Sequence, residues 1–329
     1  MEERNVNQGA IAPLVSVVVP TYQHAAFIGP CLDGILMQRT TFAVEVLLGE
    51  DESTDGTREI CRRYAEAHPE RIRLFLRSRK DVMMIDGRPT GRANLLALLA
   101  EARGRYIALC EGDDHWTDPD KLQKQVDAIE ADPLAVGCFT NAWNEEDGVR
   151  TPYLDGLQKR VPMAPVTRKD VVLGQNIATC TVVFLRETIR TMPPQMITAP
   201  VGDTILFTHI TRAGHLVYLP ESTAVRHVHA GGVYSMKSDI FKTEVHARLL
   251  ELLDDMTDGE YREAIHRKRM NLLLHGWQLA ERSRDRKAMR YFWKAIAAER
   301  GHSWRWTTTM RNALKAWYPG IEGFLFKTR

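Results

Sequence analysis

Residues 106–114 read Tyr-Ile-Ala-Leu-Cys-Glu-Gly-Asp-Asp. A short apolar run stopped by an acid and a glycine suits an interior strand of a parallel sheet, buried on both faces. The chain leaves it through a tight loop that ends in two adjacent carboxylates, Asp113 and Asp114. Upstream, Leu14–Val19 is a β-branched run stopped by Pro20, Val44–Leu48 is a second run, and Ile72–Leu76 is a third. Between them apolar spacing predicts helices over His24–Met37 and from the turn Asp51–Gly56 to about Ala67. After a polar loop to Thr90, another helix is predicted over Arg92–Arg103. A helix over Pro119–Glu130 carries proline in its first turn, where the missing N–H costs nothing. Strands alternating with helices of this length are βαβ units, so the fold class is α/β with a mostly parallel sheet flanked by helices. Such sheets bind ligands beyond the C-terminal ends of their strands. The residues there are Thr21-Tyr22, Glu50-Asp51 and Asp113-Asp114.

Beyond about Ala135 the rhythm changes. Val136–Trp143, Thr179–Leu185, Leu216–Leu219 and Thr223–Val228 read as strands, with a helix over Thr204–Thr211. From Met236 onward helical periodicity dominates. The expected organisation is a tail at 1–12, a catalytic domain at 13–235 and a helical C-terminal region at 236–329. The 329 residues carry 44 Lys+Arg against 42 Asp+Glu, a balance that excludes wholesale polyanion binding. Residues 261–329 are nevertheless strongly basic, with 16 Lys+Arg against 5 Asp+Glu and five of the seven tryptophans. No apolar run approaches the roughly 20 residues of a membrane span. The polar, acidic N-terminus lacks a signal-peptide pattern. The five cysteines (31, 61, 110, 138, 180) contain no C-x-x-C pair, against a disulfide framework or a zinc site, and a cytoplasmic setting is expected.

Adjacent carboxylates at a sheet edge repel one another, and a hard divalent cation relieves that repulsion; Asp118 would cap the following helix. In the second loop, Asp55 reads as a helix N-cap and Gly56 eases the turn. That leaves Asp51, directly after its strand, placed to accept N–H bonds from a pyrimidine or guanine imide edge. In His227-Val228-His229 alternation puts both imidazoles on one side of a strand, a pattern able to bind a metal.

The order and spacing of Pro20-Thr21-Tyr22, Glu50–Thr57, Gly91-Arg92-Ala93-Asn94 and Gly104–Pro119 resemble the family 2 glycosyltransferases of the GT-A type fold, over roughly residues 14–235. The resemblance implies inverting transfer from a nucleotide-diphospho-sugar, UDP first among the nucleotides. Carried over by position, Pro20, Thr21 and Tyr22 would line the nucleotide pocket and Asp51 would contact the base. Arg92 would touch base or phosphate, Asp113 the ribose and Asp114 the metal, Mn²⁺ or Mg²⁺. The sequence departs from the family pattern at Glu50 and Glu111, where aspartate is usual. It also departs at Gly202-Asp203, where an E-D pair is expected. Asp203 would be the catalytic base. His229 matches a histidine that approaches metal or diphosphate, while His227 stands in an arginine slot. Thr179–Arg186 reads mainly as a buried strand, in which the resemblance leaves Thr181 a candidate for the acceptor and sugar side; Trp116, next to the acids, suits either stacking on a sugar face or packing as an aromatic lid on the loop.

The resemblance also implies a glycan or lipid-linked glycan acceptor and a role in bacterial surface-polysaccharide assembly. The tail sequences His302-Ser-Trp-Arg-Trp and Lys315-Ala-Trp-Tyr-Pro suit peripheral docking on the inner face of the cytoplasmic membrane. They equally suit a packed helix with a solvated basic face. No motif supports nucleic-acid binding. Two rivals stand beside this reading. One is a nucleotidyltransferase acting on a sugar phosphate, which a Gly-rich phosphate loop after the first strand would favour and Pro20–Gly29 lacks. The other is a non-catalytic nucleotide-sugar or membrane-binding module.

Overall fold

The computed structural model describes residues 12–156, 162, 165–229 and 237–299. Strands β1 (Val15–Thr21), β2 (Val44–Glu50) and β3 (Ile72–Leu76) alternate with helices α1 (Ile28–Leu36) and α2 (Thr57–Ala67). A small hairpin of β4 (Met83–Ile85) and β5 (Arg88–Thr90) precedes α3 (Arg92–Glu101). Then come β6 (Tyr106–Leu109), β7 (His115–Trp116), α4 (Lys121–Glu130), β8 (Ala135–Glu146), β9 (Val149–Pro152) and α5 (Arg168–Val172). The chain continues through β10 (Val183–Leu185), α6 (Gly202–Ile210), β11 (His215–His227), α7 (Asp239–Met256), α8 (Arg262–Arg282) and α9 (Arg286–Glu299).

The main sheet runs β3-β2-β1-β6-β10-β8-β11-β7, with β9 paired to β8. It is parallel from β3 to β6 and again between β8 and β11; the short β10, β7 and β9 join antiparallel. Alternation along the central strands divides the core in two. Val15, Val17 and Val19, with Val46 and Leu48, pack against α1, α2 and α4. Val18 and Leu47 point to the opposite face, against Leu98 of α3, Ile205 and Phe207 of α6, and Leu249, Leu250 and Leu253 of α7. The central strands are therefore apolar on both faces, which is why their runs are continuous. The helical C-terminal region shares the second core with the sheet. A third cluster holds α7, α8 and α9 together through Ala247, Met270, Leu273 and Phe292.

Several local expectations need correction. β1 does not stop at Pro20 but runs to Thr21. The Pro20 carbonyl points toward β6 and accepts from Gly112 N at 3.0 Å; the ladder with β6 has ended there, so no N–H is missed. α4 begins at Lys121, two residues after Pro119, and Asp118 forms a local turn by accepting from Asp120 N at 2.9 Å. The N-cap of α2 is Gly56, at φ +101, rather than Asp55. Thr179–Thr181 is a 3-10 turn leading into β10, and the two strands expected at 216–228 are one bulged strand. The boundary at 235/236 and the basic tail beyond 299 lie outside the described residues, as does Ala230-Gly231-Gly232.

Candidate active site

The loops after β1, β2 and β6 are laced together at one edge of the sheet. Asp51 N donates to Thr21 O (3.1 Å), Gln23 N to Ser53 Oγ (2.9 Å), His24 N to Thr57 Oγ1 (2.8 Å) and Ala25 N to Asp55 Oδ2 (3.0 Å). Asp55 thus joins two loops as well as the start of α2, where its Oδ1 accepts from Thr57 N. Gln23 (φ +56) and Glu52 (φ +61) hold left-handed conformations that disfavour side chains, the kind of local strain that concentrates where a loop is shaped for function. Gly112 lies so close to Thr21 that a Cβ would collide with its Oγ1; only glycine lets the acidic loop lie against β1.

One end of this edge is built from three side chains. Asp51, buried, accepts from Arg79 Nη1 at 3.0 Å, and the Arg79 guanidinium lies 3.9 Å above the centre of the Tyr22 ring. Burial raises the Asp51 carboxyl, with Arg79 opposing. Glu50 faces inward and is spent on scaffolding, paired with Arg58 and accepting from Ser53 N.

The opposite end is crowded with acid. Glu111 Oε2 is buried and bonded to nothing among the described residues, and burial with the neighbouring Asp114 and Asp113 raises that carboxyl far above its usual range. Asp114 is buried, its Oδ1 accepting from His227 N at 3.0 Å. Burial and Asp113 push its carboxyl up to about 7. Asp113 faces His229 Nε2 at 3.2 Å and His24 Nε2 at 3.7 Å. His227 and His229 both lie against the Phe27 ring, at 5.0 and 4.8 Å between centres, so they do share a side. His227 pairs with His115 at 3.0 Å. Burial lowers the imidazoles of His24, His115 and His227. Among the described residues no three His, Cys, Asp or Glu form a ready metal cage. The donor set nonetheless fits a hard cation of the Mg²⁺ or Mn²⁺ kind, which is typically held by one or two carboxylates and completed by phosphate. The orphaned Glu111 oxygen and the raised Asp114 carboxyl are what such a charge would relieve.

Asp203 sits in the first turn of α6, its Oδ1 accepting from Thr204 N at 2.5 Å. It faces Glu111 electrostatically, and Tyr153 lies within reach of both Asp203 and Asp114. His246 of α7 also feels the Asp203 charge, so the C-terminal helices contribute to this wall. Arg92 is buried: its Nη1 donates to Met196 O and its guanidinium seats against Gly202, beside Asp203. The structure therefore puts Arg92 with Asp203 rather than with Asp51. Pro20 contributes main chain only, and Thr21 bonds His24 Nδ1 at 3.2 Å. Trp116 is not a sugar wall: it is 1% exposed, donates from Nε1 to Cys180 O at 2.7 Å and is covered by Lys121. Thr181 is likewise internal, bonded to Ala178 O. Arg79 and His24 escaped sequence reasoning. Arg79 lies in a polar loop without a pattern, while His24, three residues past Thr21 at a strand end, had a positional signal.

The family model described as Glycosyl transferase family 2 matches residues 16–187, more than half of the chain. The chain belongs to glycosyl transferase family 2. The Mycobacterium tuberculosis (strain ATCC 25618 / H37Rv) protein named "Uncharacterized protein Rv1520" is 35% identical over 266 residues, covering 76% of this chain and 71% of its own length. The Bacillus subtilis (strain 168) protein named "Putative teichuronic acid biosynthesis glycosyltransferase TuaG" is 34% identical over 115 residues, 35% of this chain and 41% of its own. The mannosyltransferase PcManGT from Pyrobaculum calidifontis, solved in complex with GDP-Man and Mn²⁺, superposes with a TM-score of 0.56 at 20% identity. That match covers 96% of this chain and 88% of PcManGT. At this identity the likeness concerns the fold, and the family 2 chain described here has the GT-A architecture.

Proposed function

We propose that this family 2 chain is an inverting glycosyltransferase that moves a sugar from a nucleotide-diphospho-sugar to an acceptor hydroxyl. The observation that carries it is the run of acids along this edge: Asp51 beside Tyr22, the loop Glu111–Asp114 with a Glu111 oxygen unpartnered among the described residues, and Asp203, whose charge Glu111 feels. Asp51 and Tyr22 receive the base, with uracil the first expectation, Thr21 and Pro20 line the pocket, and Asp113 takes the ribose. Asp114, with His229 as a second donor, would hold Mn²⁺ or Mg²⁺, which supplies neutralisation of the departing diphosphate. Asp203 removes the acceptor proton as the hydroxyl attacks the anomeric carbon from the face opposite the leaving group, which inverts that centre. One Asp203 oxygen is held by Thr204, and the other, which no donor among the described residues reaches, would take the proton.

The acceptor is proposed to be a glycan or lipid-linked glycan of a bacterial surface polysaccharide, a reading that the likeness to the putative teichuronic acid glycosyltransferase supports. Among the described residues no helix is long and apolar enough to cross a membrane; peripheral docking on the cytoplasmic face through the basic, Trp-rich tail accords with that. A thermal-shift panel of UDP-, GDP-, dTDP- and CMP-sugars with and without Mn²⁺ tests the donor reading, because a ligand of the native state raises the melting temperature. A Mn²⁺-dependent shift with one nucleotide class is expected. No shift with any would remove the proposal.

A further inference from the structure

Gly202 stands where an E-D pair would carry a glutamate, and a cation from another helix occupies that space. A Cβ at residue 202 would collide with Cζ, Nη2 and Nε of Arg92. The guanidinium therefore lies against the first turn of α6, on the residue next to Asp203. Its Nη1 donates to Met196 O, in the turn Pro194–Ile197 that precedes this helix, while Nε and Nη2 meet no acceptor among the described residues. Arg92 is buried, which works against its charge, and the charge of Asp203 opposes that effect. Among the described residues no hydrogen bond joins the two side chains, and the Asp203 carboxylate accepts only from Thr204. On its other side Arg92 is anchored: it opens α3, and Asn94 in the same turn donates from Nδ2 to Gly49 O of β2 at 2.8 Å. One buried side chain thus links the strand that leads to Asp51 with the helix that carries Asp203.

We infer that Arg92 is the positioning residue for Asp203: it fills the place of the missing acid, holds the start of α6 against α3 and sets a fixed positive charge beside the carboxylate. This deepens the reading of Asp203 as the base and rests on it. A guanidinium keeps its charge when buried, and a buried charge without an opposite one nearby is costly. Ionised Asp203 offsets that cost, so the two groups stabilise each other. A glutamate at 202 would do the reverse, because neighbouring carboxylates oppose each other's ionisation. Glycine with a cation from α3 replaces a second negative charge beside the proposed proton acceptor by a positive one. The stand-off between the two matters as much as the sign. A direct salt bridge would occupy the oxygen that the acceptor proton needs, whereas a guanidinium held by Met196 O leaves that oxygen bare.

The test uses the full chain in two arms. The first measures, by chemical denaturation at neutral pH, what Asp203→Asn costs in the wild type, in Arg92→Met and in Arg92→Lys. The cost to the folding equilibrium is expected to be about tenfold greater in the wild type than in Arg92→Met. In Arg92→Lys, which keeps the charge, it stays close to the wild-type cost. Methionine retains most of the arginine stem, so a role limited to filling space would make the wild-type and Arg92→Met costs equal. The second arm follows nucleotide release from UDP-glucose, UDP-N-acetylglucosamine and GDP-mannose in Mn²⁺, with water as acceptor. Water oxygen then bonds the anomeric carbon, the diphosphate leaves and the proton goes to Asp203. Arg92→Met is expected to lower kcat about 30-fold with KM for the donor within about twofold, because a slightly misplaced base loses that much. Arg92→Lys recovers to within about fivefold of the wild type, and the Arg92→Met, Asp203→Asn double variant is no slower than Asp203→Asn alone. Gly202→Ala leaves both partners but sets a methyl in the guanidinium's place; it is expected to lower kcat similarly and serves should Arg92→Met lose its cooperative melt. Equal costs of Asp203→Asn in the wild type and in Arg92→Met overturn the inference and leave the nucleotide reading intact. Unchanged kcat in Gly202→Ala also overturns it, as does a raised donor KM at unchanged kcat in Arg92→Met, which would return Arg92 to base or phosphate. A wild type that releases nucleotide from none of these donors counts against Asp203 as a base acting on them, while the first arm still decides whether Arg92 and Asp203 are paired.

Discussion

At the base end Asp51 is met by Arg79 at 3.0 Å and Arg79 by the Tyr22 ring. At the proposed diphosphate end Glu111, Asp113 and Asp114 share one short loop, near the imidazoles of His24 and His227, which burial lowers; among the described residues Asp114 accepts from the His227 main-chain N–H and feels the Arg226 charge. The first end is electrically closed and can discriminate by shape and polarity. The second keeps a Glu111 oxygen without a partner among the described residues, and positive charge brought there would relieve the acids. On the proposed function, selectivity belongs to the first end and charge neutralisation to the second.

The strongest way to break this division is to remove the group proposed to do chemistry and nothing else. Asp203→Asn is expected to lower turnover by roughly 10³-fold, the range of a general base, with nucleotide affinity within about twofold. Radiolabelled sugar transfer and calorimetry on the same sample check it; a turnover loss under about tenfold would place the base elsewhere. Asp114→Ala is expected to lower donor affinity in Mn²⁺ by roughly two orders of magnitude, while affinity in chelator stays as in the wild type. Equal losses in both media would mean that Asp114 serves the protein rather than a cation.

Behind the acidic loop lies a third pattern of charge, a cation buried without a carboxylate in hydrogen-bond contact. Lys121 Nζ bonds Gln125 Oε1 at 2.5 Å and lies 4.3 Å over Trp116, and burial brings its ammonium down to about 8. Because the folded form releases this proton more readily than the unfolded chain, ionised Lys121 costs stability at neutral pH. That cost disappears as pH rises from about 8 toward 10.5. Relative to Lys121→Met, the wild type is therefore expected to gain on the order of 2–3 kcal/mol across that window in denaturant titrations. Parallel pH profiles for the two proteins would contradict it. The smallest effect concerns the brace between the β4–β5 hairpin and α7, where Arg248 pairs with Asp86 at 2.8 Å and Arg88 lies over Phe241. Both partners of the ion pair are substantially exposed, so Arg248→Ala is expected to cost no more than about 0.5 kcal/mol by chemical denaturation.

Much of the scaffold was legible for one physical reason. Val17–Val19, Val46–Leu48 and Tyr106–Leu109 are buried on both faces, which writes them as unbroken apolar runs. The same rule singled out Asp51, Asp113 and Asp114, which the structure places in the loops directly after β2 and β6. Asp203 came from the family pattern. The hairpin β4–β5 and the strands β7 and β9 are two to four residues long, too short for any periodicity to register. Arg79 was not legible because its place depends on Glu52 gripping a neighbouring loop, a contact between residues 27 positions apart. Trp116 had two sequence readings, a sugar platform or a packed aromatic, and the structure takes the second: its indole N–H is committed to Cys180 O.

Leu249, Leu250 and Leu253 of α7 share a core with Ile205 and Phe207 of the helix that carries Asp203. Trimming away the C-terminal helices would leave a greasy scar beneath that aspartate, at about 1.5–3 kcal/mol for each core side chain, such as Ile205 or Phe207, that loses its cover. Such a fragment loses the footing of its own proposed proton acceptor. Anyone grafting this transferase onto another scaffold therefore has to carry the helices along.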